Sequence, residues 1–154
     1  MSITAKIAWE RLGKTRLGRW IFGRIISFKV PYFSTIRPEF QRLEPGYCQV
    51  VLRKRRTVLN HVGTVHAIAM CNAAELAAGL ATEVMLPTSY RWIPISMSVN
   101  YLKPAKTDLV VVAQGALPDE LGERAALDVT ADAKDNDGIT VFRAVITMCV
   151  SQRR

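Results

Sequence analysis

The sequence has few cysteines, and their spacing excludes two kinds of site. Cys48, Cys71 and Cys149 are the three cysteines of this 154-residue chain, and they lie far apart. An odd and scattered set does not form a disulfide scaffold, and no CxxC pair is present for zinc binding or redox chemistry. We therefore predict a protein of a reducing compartment, namely the cytoplasm.

Long apolar runs and common catalytic motifs are also lacking. The N-terminus has no extended apolar core of the kind found in signal peptides. No apolar run approaches the ~20 residues that a spanning helix needs. The chain has no Gly-x-Ser-x-Gly, Walker or Rossmann glycine pattern, which excludes the serine-hydrolase, nucleoside-triphosphate and dinucleotide classes that carry them. We expect no cofactor.

The two histidines do not predict a metal site. His61 and His66 flank a turn, and Glu75 follows about two helical turns later. Three such groups are too far apart to share one ion, so we expect no metal.

What the sequence has in excess is positive charge, concentrated at one end. The net charge is +8. Residues 1–30 hold seven basic side chains and one acid, so most of the excess lies there. The composition of the whole chain, 49% hydrophobic and 22% charged, is typical of one globular domain. We predict a basic arm over residues 1–29 and a domain over residues 30–154.

The arm is expected to be helical over residues 3–29, with Ser2 or Thr4 as its N-cap and Pro31 closing it. Three glycines interrupt the pattern, so two short helices or one bent helix both fit. Three roles are open for it: packing on its own domain, contact with a membrane surface, or nucleic-acid binding. We expect no nucleic-acid partner, because the rest of the chain has no basic bias.

The remainder of the chain predicts an α+β fold. One buried, alanine-rich helix is expected over residues 65–82, because apolar residues occur on all its sides. Alternating patterns predict antiparallel strands before and after it. The extended segments are residues 32–43, 46–57, 95–102, 108–117, 124–134 and 139–150. One helix against one curled antiparallel sheet is the simplest arrangement of these elements.

Glu75 is the only charged residue between Ala67 and Thr82. A buried, unpaired carboxylate costs several kcal/mol, so we expect this one to be paired, hydrogen-bonded, protonated or facing a cavity. Two interpretations remain open. Glu75 is a general base, or it is a structural residue bonded to the backbone or to Asn72.

The start of the same helix is a second candidate. Free N–H groups around His66, Ala67 and Ile68 form an end that attracts anions and suits a polarised carbonyl oxygen. Glu75 lies eight residues beyond Ala67, about 12 Å along a helix. One carbonyl cannot contact both groups of one chain. If they cooperate, two subunits with antiparallel helices supply them, and the protein is a dimer.

These residues also carry a family resemblance. The pattern Asn60-x-x-Gly63-x-x-His66, followed by Glu75, resembles the hotdog-fold thioesterases, in particular the phenylacetyl-CoA and 4-hydroxybenzoyl-CoA thioesterases. Residues 98–115, with their Tyr-x-x-Pro-Ala-Lys turn, resemble the strand that follows the helix in that family. The chain is similar to a functionally unassigned bacterial branch with an added N-terminal helical arm.

The resemblance implies a fold, a reaction and an assembly. In the hotdog fold an antiparallel sheet wraps around one long helix. Members of the family form dimers or dimers of dimers, and they hydrolyse acyl-CoA or another acyl thioester at the subunit interface. Glu75 is then the carboxylate that activates water or attacks the thioester, the Ala67 N–H binds the oxyanion, and Asn60 and His66 orient the reactants. The expected substrate-binding residues are Gly63, Val65, Ile68, Pro94 and Ser96.

Two departures from the family pattern favour a different function. The relatives usually carry His-Gly-Gly where this chain has His66-Ala67-Ile68, and a Cβ at the helix start narrows the room for a thioester. Some relatives place a serine or threonine on the next strand, where Pro94 stands here. The alternative is a non-catalytic acyl-CoA or fatty-acyl binding protein, held at a membrane by its basic arm.

Overall fold

A computed structural model describes residues 5–118 and 120–153. The chain begins with two helices, α1 (Ala5–Leu12) and α2 (Arg16–Lys29). The Thr15 hydroxyl caps α2 by accepting a hydrogen bond from the Gly18 N–H at 3.0 Å. Of the two forms predicted for the arm, the pair of short helices is confirmed. The proposed caps at Ser2 and Thr4 lie outside the described residues.

A six-stranded antiparallel sheet wraps around one long helix. The strand order is β1-β2-β4-β5-β6-β3, so β1 and β3 are its edges. The helix between β2 and β3 is α3 (Ala67–Met85). The strands are β1 (Glu39–Glu44), β2 (Tyr47–Leu52), β3 (Tyr90–Tyr101), β4 (Leu109–Gln114), β5 (Arg124–Lys134) and β6 (Thr140–Gln152).

The first two strands are shorter than the alternation predicted. Residues 32–43 and 46–57 were both expected to be extended, but Pro31–Thr35 and Arg56–Val58 are short 3-10 helices. Pro31 starts the first of these because its fixed φ suits a helical turn. The hairpin turn is where the sequence predicts it. Gly46 has φ +74°, and its N–H donates to the Ala81 carbonyl, which ties the turn to α3.

Small side chains let the sheet come close to α3. The alanines at positions 73, 74, 77, 78 and 81 are fully buried. With 19 residues, α3 is long and apolar enough to cross a membrane by length and composition alone, contrary to the expectation that no run approaches that length. Its burial under the sheet accounts for that apolarity.

One face of the arm belongs to the core. Phe22 of α2 is fully buried, and its ring meets those of Trp9 and Phe40 edge to face at 5.1 and 4.9 Å. Packing of the arm on its own domain is thus observed for this face. The division between residues 1–29 and residues 30–154 stays a prediction.

Strand β3 is a long edge strand with an interrupted alternation. It pairs with β6, and the register shifts between Pro94 and Ser96. The sequence pattern groups Ile95 with Met97, but this bulge turns Ile95 outward, where it is 57% exposed. The ring of Trp92 covers Gly79 so closely that a Cβ there would lie 2.6 Å from it. Glycine at position 79 therefore lets β3 pack against α3.

Candidate active site

Glu75 lies on the one open side of α3. Residues 71, 75, 79 and 83 follow one another at helical-turn spacing, next to β3. The first of them, Cys71, contacts Tyr101, and the last two contact Trp92. Glu75 lies between these contacts. It is exposed, and its carboxylate has no hydrogen bond or ion pair to the described residues. Of the states expected for this carboxylate, pairing and hydrogen bonding are not observed within the described residues, and it lies on the exposed side of a helix that is buried on its other sides.

A tyrosine and a cysteine close one end of this open side. The Tyr101 hydroxyl and the Cys71 Sγ are 3.4 Å apart, within hydrogen-bond distance for sulfur. This hydrogen bond, together with partial burial, raises the pKa of Tyr101 to about 12. The phenol is therefore a neutral donor or acceptor beside the site at neutral pH.

The start of α3 leaves one backbone donor free. His66 is the N-cap, and its Nδ1 accepts a hydrogen bond from the Ile68 N–H at 3.0 Å. The His66 N–H donates to the Val58 carbonyl at 2.8 Å. The expectation of three free donors is thus wrong for these two. The Ala67 N–H has no hydrogen-bond acceptor within residues 5–118 and 120–153. That donor is free to bind a substrate oxygen.

The His66 hydrogen bond also fixes the state of the ring. Because Nδ1 acts as an acceptor, the proton of the neutral imidazole is on Nε2. His66 therefore caps the helix.

Asn60 organises the loop that leads into the helix. Its Oδ1 accepts from the N–H groups of Val62 and Thr64, at 3.0 and 3.1 Å, and its Nδ2 donates to the Thr64 hydroxyl at 2.8 Å. Gly63 has φ +81° and donates its N–H to the Asn60 carbonyl. The Asn60 side chain is therefore engaged within its own loop, an Asx-type turn that residue spacing alone does not reveal.

We predict that Asn60→Ala lowers the free energy of unfolding by about 1–3 kcal/mol, because it leaves two backbone N–H groups of the loop unpaired. Asn60→Asp keeps the accepting oxygen and should lose less. Denaturant unfolding of both variants measures this. Equal stability of Asn60→Ala and the unmodified chain would show that the loop does not depend on this side chain.

The expected substrate-binding residues do not all line one surface. Ile68 is 52% exposed at the helix start, whereas Val65 is buried, and its N–H donates to the Ala105 carbonyl. Gly63 is in the exposed loop. Pro94 is half-buried and Ser96 exposed, on either side of the β3 bulge. Trp92 and Tyr101 contact α3 from β3, so the alternation on either side of the bulge directs Pro94 toward the helix and Ser96 away from it. Only Ile68 and Pro94 are thus placed to meet a ligand on the open side of α3.

A cavity of about 160 Å³ lies beside the helix start, lined in part by His66, Ile68 and Asn72. The Asn72 Nδ2 donates to the Thr35 hydroxyl at 3.0 Å, and its Oδ1 has no hydrogen-bond partner among the described residues. The proposed bond between Glu75 and Asn72 is therefore not observed. Sequence reasoning missed the Thr35 contact because the two residues are 37 positions apart.

A cationic cleft at the other end of β3 was also missed. This cleft, of about 940 Å³, gathers Arg91, Arg124 and Arg153 from three separate segments. None of the three forms an ion pair with a carboxylate of the described chain. Their Nε–H groups instead donate to the Ser151 hydroxyl, the Cys149 Sγ and the Tyr90 carbonyl. Glu123 also lines the cleft, so these four charged side chains leave it with a net positive charge.

No set of three or more histidine, cysteine, aspartate or glutamate side chains within the described residues is arranged to hold a metal ion.

The fold and the open side of its helix define a class of protein. An antiparallel sheet wrapped around one long helix, with a free edge strand beside it, is the hotdog fold. The chain belongs to the family described as a domain of unknown function, DUF4442, whose model matches residues 18–150. A comparison with curated proteins finds no match.

Solved structures share this fold. The crystal structure of a genomics target is 44% identical, with 97% of this chain and 98% of that chain covered and a TM-score of 0.84. A thioesterase family protein from Silicibacter pomeroyi is 20% identical, with 85% and 96% covered and a TM-score of 0.72. A Staphylococcus aureus thioesterase variant is 15% identical, with 79% and 98% covered and a TM-score of 0.70. Structures of that protein exist with a glutamine and a glutamate each replaced, 15 residues apart.

Proposed function

We propose that the protein hydrolyses acyl-CoA thioesters at a subunit interface. One observation carries this proposal: Glu75 is an exposed carboxylate on the open side of α3, and the same helix starts with a free Ala67 N–H. The separation of Asn60 and Glu75, 15 residues, equals that of the two replaced residues in the Staphylococcus aureus thioesterase. That match supports Glu75 as the reacting carboxylate.

The free edge of β3 supports a dimer. An exposed apolar edge strand invites pairing with another strand, and Ile93 and Ile95 are 61% and 57% exposed on this one. A second copy pairing its own β3 antiparallel, about a two-fold axis, covers both edges. The two α3 helices then also run antiparallel. Glu75 of one subunit thereby approaches the Ala67 N–H of its partner, which one chain cannot achieve alone.

The chemistry then follows from these two groups. The Ala67 N–H donates to the thioester oxygen as negative charge develops on it. Glu75 takes a proton from an attacking water, or attacks the carbonyl carbon directly and forms an anhydride that water opens. In both cases the C–S bond breaks and the CoA thiolate leaves, taking up a proton. His66 keeps the adjacent Ile68 N–H engaged, so the Ala67 N–H is the donor available to substrate.

The cationic cleft is the proposed site for the phosphates of the carrier. In an antiparallel β3 pair, the Arg91 end of one strand lies beside the Tyr101 end of the other. Tyr101 contacts Cys71, one turn from the start of α3. The cleft of one subunit therefore lies near the helix start of its partner, where the thioester is bound. Guanidinium groups without carboxylate partners are suited to bind phosphate.

We predict that Arg91→Gln with Arg124→Gln raises KM for acyl-CoA by about tenfold or more and leaves kcat nearly unchanged, because the lost hydrogen bonds are made to the phosphates. Steady-state kinetics with an acyl-CoA and with the matching acyl-N-acetylcysteamine, which has no phosphate, measure this. For the second substrate, the variant and the unmodified protein should have the same KM. Lys103→Gln with Lys106→Gln is the control of equal charge change. An equal rise in KM for both substrates would contradict the assignment.

A second candidate is an acyl-CoA binding protein without turnover. Two observations favour it. The half-exposed Ile68 side chain takes up space that a thioester would need beside the start of α3, and Pro94 offers no hydroxyl beside the open side of that helix. One experiment separates the candidates. Free-thiol release is measured for short, medium, long and aromatic acyl-CoAs. Turnover of any member supports hydrolysis, whereas saturable binding of the panel with no thiol release supports the binding protein.

A further inference from the structure

Helix α2 presents large apolar side chains to solvent. Leu17, Trp20 and Phe28 are 67%, 62% and 87% exposed, and Arg24 is exposed among them. The spacing of these four residues places them along one side of the helix, which we call the outer face of α2. Single exposed hydrophobic side chains are common on protein surfaces, but three large ones on one side of a helix form a patch. Such a patch indicates a binding surface.

The core holds this face in a fixed direction. The opposite side of α2, with Gly18, Phe22, Gly23 and Ile26, is buried against the domain. A Cβ at position 23 would lie 3.0 Å from the Pro38 carbonyl, so α2 lies close against the chain that leads into β1. The outer face is therefore directed away from the core along the whole helix.

Positive charge surrounds the outer face. Helix α2 contains three arginines and one lysine and no acidic residue. Beside it, a groove of about 400 Å³ is lined by Trp20, Arg24, Arg37 and Arg55, among others. Arg53, in the same groove, is already bound by Glu39 and Asp108.

The groove arginines repel one another. Burial, and then the nearby charge of Arg37, lower the pKa of Arg55. Neither Arg24 nor Arg37 forms an ion pair with a carboxylate of the described residues. An anion that entered the groove would relieve this repulsion.

We propose that the outer face of α2 binds an anionic lipid surface. Leu17, Trp20 and Phe28 enter the boundary between headgroups and acyl chains, and Arg24 and Arg37 contact lipid phosphates. Apolar and aromatic side chains flanked by arginine are typical of helices that lie in the membrane interface. A second copy fits less well, because a two-fold contact would set these cations against each other. Nucleic acid fits less well because it leaves Leu17 and Phe28 uncovered.

Vesicle co-sedimentation of the full chain tests this proposal. Vesicles of phosphatidylcholine alone are compared with vesicles of phosphatidylcholine and phosphatidylglycerol in equal parts. We expect binding to the mixed vesicles, weakened about tenfold or more by Leu17→Gln with Phe28→Gln, and likewise by Arg24→Gln with Arg37→Gln. All four side chains are exposed, so circular dichroism should show native folding of both variants.

Matched controls distinguish specific binding by this face from non-specific adsorption to vesicles. Ile139→Gln removes an exposed apolar side chain elsewhere, and Lys103→Gln with Lys106→Gln removes two charges elsewhere. Neither should change vesicle binding. The proposal is overturned by equal binding to both vesicle types, by equal weakening in the lysine control, or by displacement with inorganic phosphate alone. It is also overturned if the Leu17/Phe28 variant changes the oligomeric state and not vesicle binding. The test does not depend on thioester hydrolysis.

Discussion

The Glu75→Gln variant should lose between about 10²-fold and 10⁴-fold in kcat for its best acyl-CoA substrate, the range expected when a positioned acid or base is removed. Glutamine keeps the shape of the side chain but neither takes up the proton of water nor attacks as a carboxylate. Glu75 is exposed and unpaired among the described residues, so the free energy of unfolding should change by no more than about 0.5 kcal/mol. Thiol-release kinetics and denaturant unfolding on the same preparation measure both.

Glu83→Gln is the matched control. Glu83 is on the same helix, two turns beyond Glu75, and its Oε2 accepts a hydrogen bond from the Trp92 Nε1 at 2.7 Å. Glutamine retains an accepting oxygen there and makes the same change in net charge. Hydrolysis should survive in this variant. Wild-type turnover by Glu75→Gln would show that the assigned mechanism is wrong.

Replacing Ile93 and Ile95 together by glutamate should convert the protein to monomers and abolish hydrolysis. Both side chains are exposed on the edge strand β3, and pairing two such strands about a two-fold axis would bring four carboxylates together. Without the pair, Glu75 has no Ala67 N–H within reach. Turnover should therefore fall to the level of Glu75→Gln. Light scattering and thiol release, at the same protein concentration, measure the two effects.

Ile139→Glu is the control for this second experiment. Ile139 is 41% exposed and lies just before β6, outside the edge strand. The substitution therefore adds a carboxylate at a position that is not part of β3. Subunit state and activity should both be retained. A monomeric edge variant with full activity would refute a shared site, and an edge variant that stays dimeric would place the subunit contact elsewhere.

The helix and the late strands could be read from the sequence because each has a strong local pattern. The alanine-rich stretch predicts α3 to within a few residues of its observed bounds. The alternation over residues 124–134 predicts β5 with the bounds observed, Arg124–Lys134. Residue spacing also singled out Glu75 and the start of α3. These features depend on contacts between near neighbours, which a linear pattern records.

Other features depend on contacts between distant residues. The free β3 edge and the open side of α3 expose Glu75, which the pattern of its own helix placed in the core. The cationic cleft joins residues from positions 91 to 153. Asn72 is fixed by Thr35, which lies before β1. A local sequence pattern contains no information on contacts between residues so far apart in the chain.

Local sequence patterns were thus sufficient for the α+β class, the single buried helix and the chemical identity of the candidate groups, since side-chain periodicity follows directly from backbone geometry. Which of these groups are free depends on the folded arrangement of the chain. That arrangement engaged the N–H groups of His66 and Ile68 and left that of Ala67 open, and it directed Leu17 and Phe28 outward. Burial and hydrogen-bond satisfaction are properties of the folded chain as a whole, because they depend on which distant segments come to lie beside each group.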